Sequence, residues 1–338
     1  MSIAICKGAL LVASLALLGT LTGAQAAYGT AELTGPALAQ AVSVQLAQGE
    51  LTQARAEVTR LASDPLALRP ARMAAQARAD EAAANLRLSE LQVRAALAAE
   101  LAALSAAEYG LRLAKVQAEM AQIGRSAAQV RFDAGAATAL DLETARAEAN
   151  NAAAAVAQAE TALKAAQDAV ERRTGQLPRQ GLKLSDPPSL SALNMALQHH
   201  PRMIKARAAL AQAELDLTVK STDLSAAVEV QAAQAAVLAA RSAVADTQLS
   251  LESALTAAWQ EYQTVVSAVA PAARTASTAA EQAHVQQQRF GSGLISKQVL
   301  LKSQLDALQA ESELDRRRAA AESALAALSV AANTKAWN

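Results

Sequence analysis

The chain has 338 residues, with 31 basic and 31 acidic side chains and a formal net charge of zero. Its hydrophobic content is 52% but its aromatic content only 2%, because most of the apolar residues are alanine. Alanine is the best helix former but buries little area, and a chain short of Phe, Tyr and Trp is poorly equipped to build a thick globular core. The neutral balance and the lack of a basic block point away from nucleic acid as a partner.

In chain order, the first element reads as a signal peptide over residues 1–26. Lys7 precedes an apolar run from Ala9 to Leu18, and Ala24-Gln25-Ala26 supplies a small-x-small processing site, with cleavage expected after Ala26. The run falls short of the ~20 apolar residues of a membrane-spanning helix; an uncleaved N-terminal anchor is the alternative. Cys6, the only cysteine, goes with this segment and lies before the apolar run, too early for a lipoprotein cysteine. The exported, periplasmic chain is then expected to lack disulfide, thiol nucleophile and thiolate metal site.

The remainder repeats at a spacing of about 158 residues, and such internal periods organise a fold. Arg131-Phe132-Asp133-Ala134-Gly135-Ala136-Ala137-Thr138 returns as Arg289-Phe290-Gly291-Ser292-Gly293-Leu294-Ile295-Ser296. Leu142 matches Leu300, and Ala56-Glu57-Val58 matches Ala213-Glu214-Leu215. Breakers divide each copy: Ser63 to Pro70 in the first, Lys220 to Asp223 in the second. Gly175 to Ser189, with four prolines or glycines beyond Gly175 itself, links the two. The organisation is therefore repeat one over 27–174, a linker over 175–189, and repeat two over 190–338.

The expected fold is all-α: two tandem repeats of long antiparallel coiled-coil hairpins, with little or no β structure. Helices are predicted over 36–62, 71–132 and 139–174, then over 190–220, 224–289 and 296–334. Leu113, Val116, Met120, Ile123, Ala127 and Val130 keep a 3-4 apolar rhythm in one long helix. Leu251, Leu255, Ala258, Tyr262, Val265 and Val269 keep it in the other. Pro271 should kink that second helix. The lengths match when the two shorter helices of a copy stack end to end beside its long one, which spans roughly 90 Å at 1.5 Å per residue. Both Gly-containing turns then lie at one end, level with each other, far from the breakers at 63–70 and 220–223.

With these elements in place, the chain resembles the TolC family of outer membrane efflux factors. The resemblance rests on the element order and on the twice-occurring aromatic-x-x-Gly-x-x-(Thr/Ser) segment, each followed by an Ala-rich helix. It rests also on the closing Thr174-Gly175, and on His200-Pro201 where the family has Asn-Pro. The resemblance implies a homotrimer forming a hollow α-helical tube in the periplasm, which serves a periplasmic adaptor and an inner-membrane pump. In the family a β-barrel continues the tube through the outer membrane. A pair of spanning strands needs about 9–11 residues each, whereas the first gap here holds about 8, two of them proline, and the second is shorter and polar. No segment alternates in the manner of a membrane strand, so the sequence predicts the helices without the barrel, and any outer-membrane association by other means.

The family places its adaptor-docking tip at the Gly-containing turns, which assigns Arg131, Phe132, Gly135, Thr138, Arg289, Phe290, Gly293 and Ser296 to that role. From the residues alone, Gly135 and Gly293 supply positive φ at helix–helix turns, and Phe132 and Phe290 pack the ends of coiled coils. Asp141 has two readings: capping-box partner of Thr138, or pore entrance together with Lys297 and Lys302. His199, His200 and His284 do not form a metal-ligand cluster, and the many carboxylates alternate with Arg, Lys and Ala as on a solvated helix face. There is no phosphate loop or nucleophile–base pairing, so neither enzyme chemistry nor a cofactor is expected. The functional readings are a conduit component of an efflux or type I secretion system, or a periplasmic coiled-coil scaffold that forms no channel.

Overall fold

The computed structural model describes residues 28–178, 187–221 and 226–335. The signal peptide with Cys6, the middle of the inter-repeat linker and residues 222–225 lie outside the described residues. Repeat one comprises α1 (Thr34–Gln40), α2 (Val42–Ser63), α3 (Arg69–Asp133) and α4 (Ala139–Thr174). Repeat two comprises α5 (Leu190–Ala196), a 3-10 turn (Leu197–His199), α6 (Pro201–Lys220), α7 (Ala227–Ser267), α8 (Val269–Gly291) and α9 (Lys297–Ala332). Among the described residues there is no strand beyond a single bridge residue, Tyr28. Only residues 64–68 separate α2 from α3, so the first gap between the helices is a tight turn, as expected from its length.

The helix boundaries follow local chemistry. Pro70 sits in the first turn of α3, and Pro201 opens α6, where a proline loses no intrahelical bond. His200 caps α6, its Nδ1 accepting from the Arg202 amide at 3.2 Å. Burial holds this imidazole below its usual pKa, and Arg202 adds to the effect. Gly175 ends α4 in the left-handed conformation, φ 73°, its N–H bonded to the Glu171 carbonyl.

The break at Ala41 corrects an expectation, whereas those at His200-Pro201 and near Pro271 fall where proline predicts them. The opening helix of each copy, predicted as 36–62 and 190–220, is broken near its start, at Ala41 and at His200-Pro201. Proline accounts for the second break; Ala41 turns extended, ψ 111°, with no breaker residue in the sequence. The second long helix begins at Ala227 and is interrupted at Ala268, three residues before Pro271, which has no N–H for the carbonyl four residues back. Its copy-one counterpart, α3, runs unbroken.

Packing places the helices in the order α2 and α4, then α3, then α6 and α9, then α7 and α8. Each long helix thus carries two shorter ones in succession, as the lengths required. The seam expected on α7 forms, with Leu251, Leu255 and Tyr262 all buried. The one expected at the end of α3 does not: Ala127 and Val130 are exposed and Ala128 is buried. A straight helix drifts away from a strict 3-4 repeat, and alanine offers too little area to hold the register.

The core sits at mid-length. Leu33 and Ala37 pack on Val93, Leu97, Leu101 and Leu104 of α3 and on Val170 of α4. Beside them, Leu91 joins Leu193, Leu197, Met203, Leu255, Leu325 and Leu328 from repeat two. A polar belt binds the same level. Thr30 donates from its amide, at 3.0 Å, and its hydroxyl, at 2.8 Å, to Glu322 Oε1, and accepts from Arg94 Nε at 3.1 Å. Tyr28 donates to Glu108 at 2.8 Å, and Ser105 donates to the buried Asp315. Arg173 grips Glu100 with two bonds of 2.6 Å. Burial raises the Glu322 carboxyl above its usual range against the opposing bonds from Thr30, and lowers Arg94 to about 10. The belt ties the N-terminal segment across both repeats. Glu322→Ala is expected to cost about 1–3 kcal/mol in urea unfolding, because it strands the buried Thr30 donors; Glu57→Ala, which breaks an exposed pair with Arg60 on one helix, should leave the unfolding midpoint essentially unmoved.

Candidate docking site at the hairpin turns

The two Gly-containing turns share one backbone design. After α3, the Gly135 N–H bonds to the Phe132 carbonyl at 2.9 Å and the Ala136 N–H to the Arg131 carbonyl at 2.7 Å. After α8, Gly293 bonds to Phe290 at 2.9 Å and Leu294 to Arg289 at 2.9 Å. This is the Schellman pattern, which needs a left-handed residue just past the helix; Gly135 has φ 71° and Gly293 φ 73°. A Cβ at either glycine would meet nothing within 4 Å, so backbone conformation alone calls for glycine there. The side chains of Arg131 and Arg289 are not used by the turn and point out, exposed. Phe132 is also exposed, whereas Phe290 is half-buried with Lys297 Nζ 6.0 Å from its ring centre.

Thr138 and Ser296 open the returning helices. Thr138 Oγ1 accepts from the Asp141 amide at 3.2 Å, and Asp141 Oδ2 accepts from the Thr138 amide at 2.8 Å, completing a capping box. Ser296 accepts from the Val299 amide at 3.4 Å; valine cannot return the bond. Of the two readings of Asp141, the cap is thus formed. The Thr138 amide, then its hydroxyl, holds the exposed Asp141 carboxyl below the usual aspartate range.

Within the chain Asp141 is not brought together with Lys297 and Lys302. Lys297 Nζ instead pairs with Glu119 Oε1 at 3.2 Å, and Lys302 is exposed on α9. The pairing also corrects the expectation that the turns are level. Glu119 lies about 14 residues before the end of α3, or roughly 21 Å at 1.5 Å per residue. Two contacts farther down keep the same antiparallel register: Ser105 to Asp315, and Asn333 Nδ2 to the Ala84 carbonyl at 3.3 Å. The turns share an end, but turn two is set back along the flank of α3 and hairpin one projects past it. Glu119, absent from the predicted site, marks this offset. In the sequence it is one of many carboxylates on a helix face, with no signal to single it out.

Among the described residues, no group of three His, Cys, Asp or Glu side chains could hold a metal ion. No described helix is long and apolar enough to cross a membrane.

In sequence, no protein-family model and no curated protein matches the chain. In structure it is similar to a membrane protein from Pseudomonas aeruginosa, at 15% identity and TM-score 0.63, covering 100% of this chain and 98% of that one. It is similar also to the Campylobacter jejuni CmeC outer membrane channel, at 14% identity and TM-score 0.63, covering 90% and 86% of the two chains. The outer membrane protein VceC from Vibrio cholerae aligns at 13% identity and TM-score 0.60, covering 90% and 95%. The protein therefore has the helical-hairpin fold of the TolC-type outer membrane channels, without strands among the described residues.

Two outcomes are expected at this site. Cysteines replacing Glu119 and Lys297 should crosslink within one chain, while a pair at Ala134 and Ser292 should not; the reverse result would make the turns level. Asp141 should titrate below the ordinary aspartate value of about 3.9 when followed by carboxyl-carbon NMR. Because its folded pKa is lowered, the cap contributes above the unfolded value and is lost as pH falls through the folded one; protection of the Thr138 amide from exchange should fade over that same window.

Proposed function

We propose that the protein is a conduit component of an efflux or type I secretion system, in which three copies close a helical tube in the periplasm and pass substrate without chemistry. The observation that carries this reading is the open pair of edges on the sheet of helices. α2 and α4 form one edge and α7 with α8 the other, and among the described residues the two do not pack together in any substantial way. Val42 and Leu46 on the first edge and Leu238 and Leu249 on the second are exposed. A head-to-tail interface between unlike edges must either close into a ring or grow without limit; the fold shared with outer membrane channels supports closure. The chain is read as exported and working at the outer membrane in company with a periplasmic adaptor and an inner-membrane pump.

In this reading the docking rim is uneven. The Gly135 turns project, carrying Arg131, Phe132 and the exposed Leu140, and the Gly293 turns lie behind them on the flank. An adaptor hairpin reaching the rim meets turn one first. A photo-crosslinking residue at Ala136 should trap a protein that mass spectrometry identifies as a periplasmic adaptor, and one at the exposed mid-helix Ala153 should not. Gly135→Trp should reduce trapping while leaving helical circular dichroism unchanged, because its Cβ has room and the cost is confined to the turn. Equal trapping from Ala136 and Ala153, or none from either, would contradict the docking role.

A further inference from the structure

The end of the molecule opposite the Gly-containing turns carries an unexplained feature. The turn between α2 and α3, Asp64-Pro65-Leu66-Ala67-Leu68, presents two leucines that are 86% and 73% exposed. Turns are ordinarily built from polar residues, Gly and Pro, and neither leucine belongs to a core cluster. The turn is nonetheless well braced. Asp64 Oδ1 accepts from the Leu66 amide at 2.9 Å, and the Asp64 carbonyl accepts from the Ala67 amide at 3.2 Å and from Arg72 Nη2 at 2.7 Å. The leucines are therefore held outward by a fixed backbone.

Charge around the turn has a direction. Arg69 and Arg72 stand on the first turn of α3, directly behind the leucines, and both are exposed. The nearby carboxylates are engaged: Glu57 forms a two-bond pair with Arg60, at 2.8 and 2.7 Å, and Asp64 braces the turn. Repeat two places more apolar surface at the same end, where the residues flanking its own interruption, Val219 and Val228, are 63% and 76% exposed. α6 leads there because it leaves the level of Ala84, which Asn333 joins to the His199 carbonyl, and runs alongside α3 toward Met73.

We infer that this end is a lipid-contacting foot: Leu66 and Leu68 insert into the interfacial region of a bilayer, and Arg69 and Arg72 meet anionic headgroups. A convex turn at the end of a long hairpin suits a deformable surface better than a protein pocket, which would have to enclose it. Apolar side chains backed by basic ones are the combination that holds proteins in the interface plane without spanning it. The foot rests on the conduit reading, since it faces the outer membrane only if the Gly135 turn faces the adaptor. In a ring of copies several feet act together, so that weak individual insertion adds up.

The test uses the exported protein with unilamellar vesicles of phosphatidylethanolamine and phosphatidylglycerol. The protein should sediment with the vesicles, and the double variant Leu66→Glu/Leu68→Glu should bind about tenfold more weakly or worse, the loss of one to two buried leucines. Arg69→Gln/Arg72→Gln should weaken binding to these vesicles but not to phosphatidylcholine vesicles. The tryptophan of Leu66→Trp should shift its emission to the blue and be quenched by brominated acyl chains. Wild-type protein that ignores vesicles, or a Glu variant that binds as well as wild type, would overturn the assignment. Adaptor trapping from Ala136 in the same variants separates the two readings: if it persists while vesicle binding fails, only the lipid foot falls.

Discussion

The smallness of alanine governs this structure. Helices so rich in alanine approach closely and pack side by side, yet each contact removes little apolar area from water, so distributed packing along roughly 90 Å of helix fixes neither register nor curvature. Register is set at mid-length, where α3 carries Leu91, Val93, Leu97, Leu101 and Leu104 into the two clusters of large side chains. The polar belt adds direction to that adhesion. Thr30 between Arg94 and Glu322, Ser105 on Asp315 and Arg173 on Glu100 each join segments far apart in sequence, and a buried polar group tolerates a slipped register poorly. Lys297 on Glu119 extends the same alignment toward the turns.

What was legible in the sequence is what local chemistry dictates. Gly135 and Gly293 announce left-handed residues, because a Schellman turn admits few others; Thr138 and Asp141 announce a capping box by spacing alone; His200-Pro201 and Pro271 announce interruptions. The repeat made the hairpin architecture readable and, through it, the fold shared with the outer membrane channels. What was not legible depends on partners distant in sequence. Asp315 lies in a run of charges that reads as a solvated face, yet the structure buries it against Ser105. The break at Ala41 has no breaker residue. The offset of the turns is a register between α3 and α9, and a seam of alanines does not encode one; the Glu119, Asp315 and Asn333 contacts reveal it.

The same division runs through the functional reading. Arg131, Phe132 and Leu140 are presented outward by a turn whose backbone needs none of them, the arrangement expected of side chains reserved for a partner. The offset concentrates that presentation on hairpin one. At the opposite end a braced turn holds Leu66 and Leu68 outward. The proposed conduit requires contacts at both ends and along both edges, and the chain exposes apolar side chains at all four places.

The proposed conduit depends on closure of the helical sheet by copies of itself. Native mass spectrometry of the exported protein, released gently from the envelope, addresses this directly. A closed ring gives a dominant species of three chains that survives dilution and is split by charged substitutions at Leu46 or Leu249 on the facing edges. A protein that stays monomeric at micromolar concentration, or whose assembly ignores both edges, would contradict it.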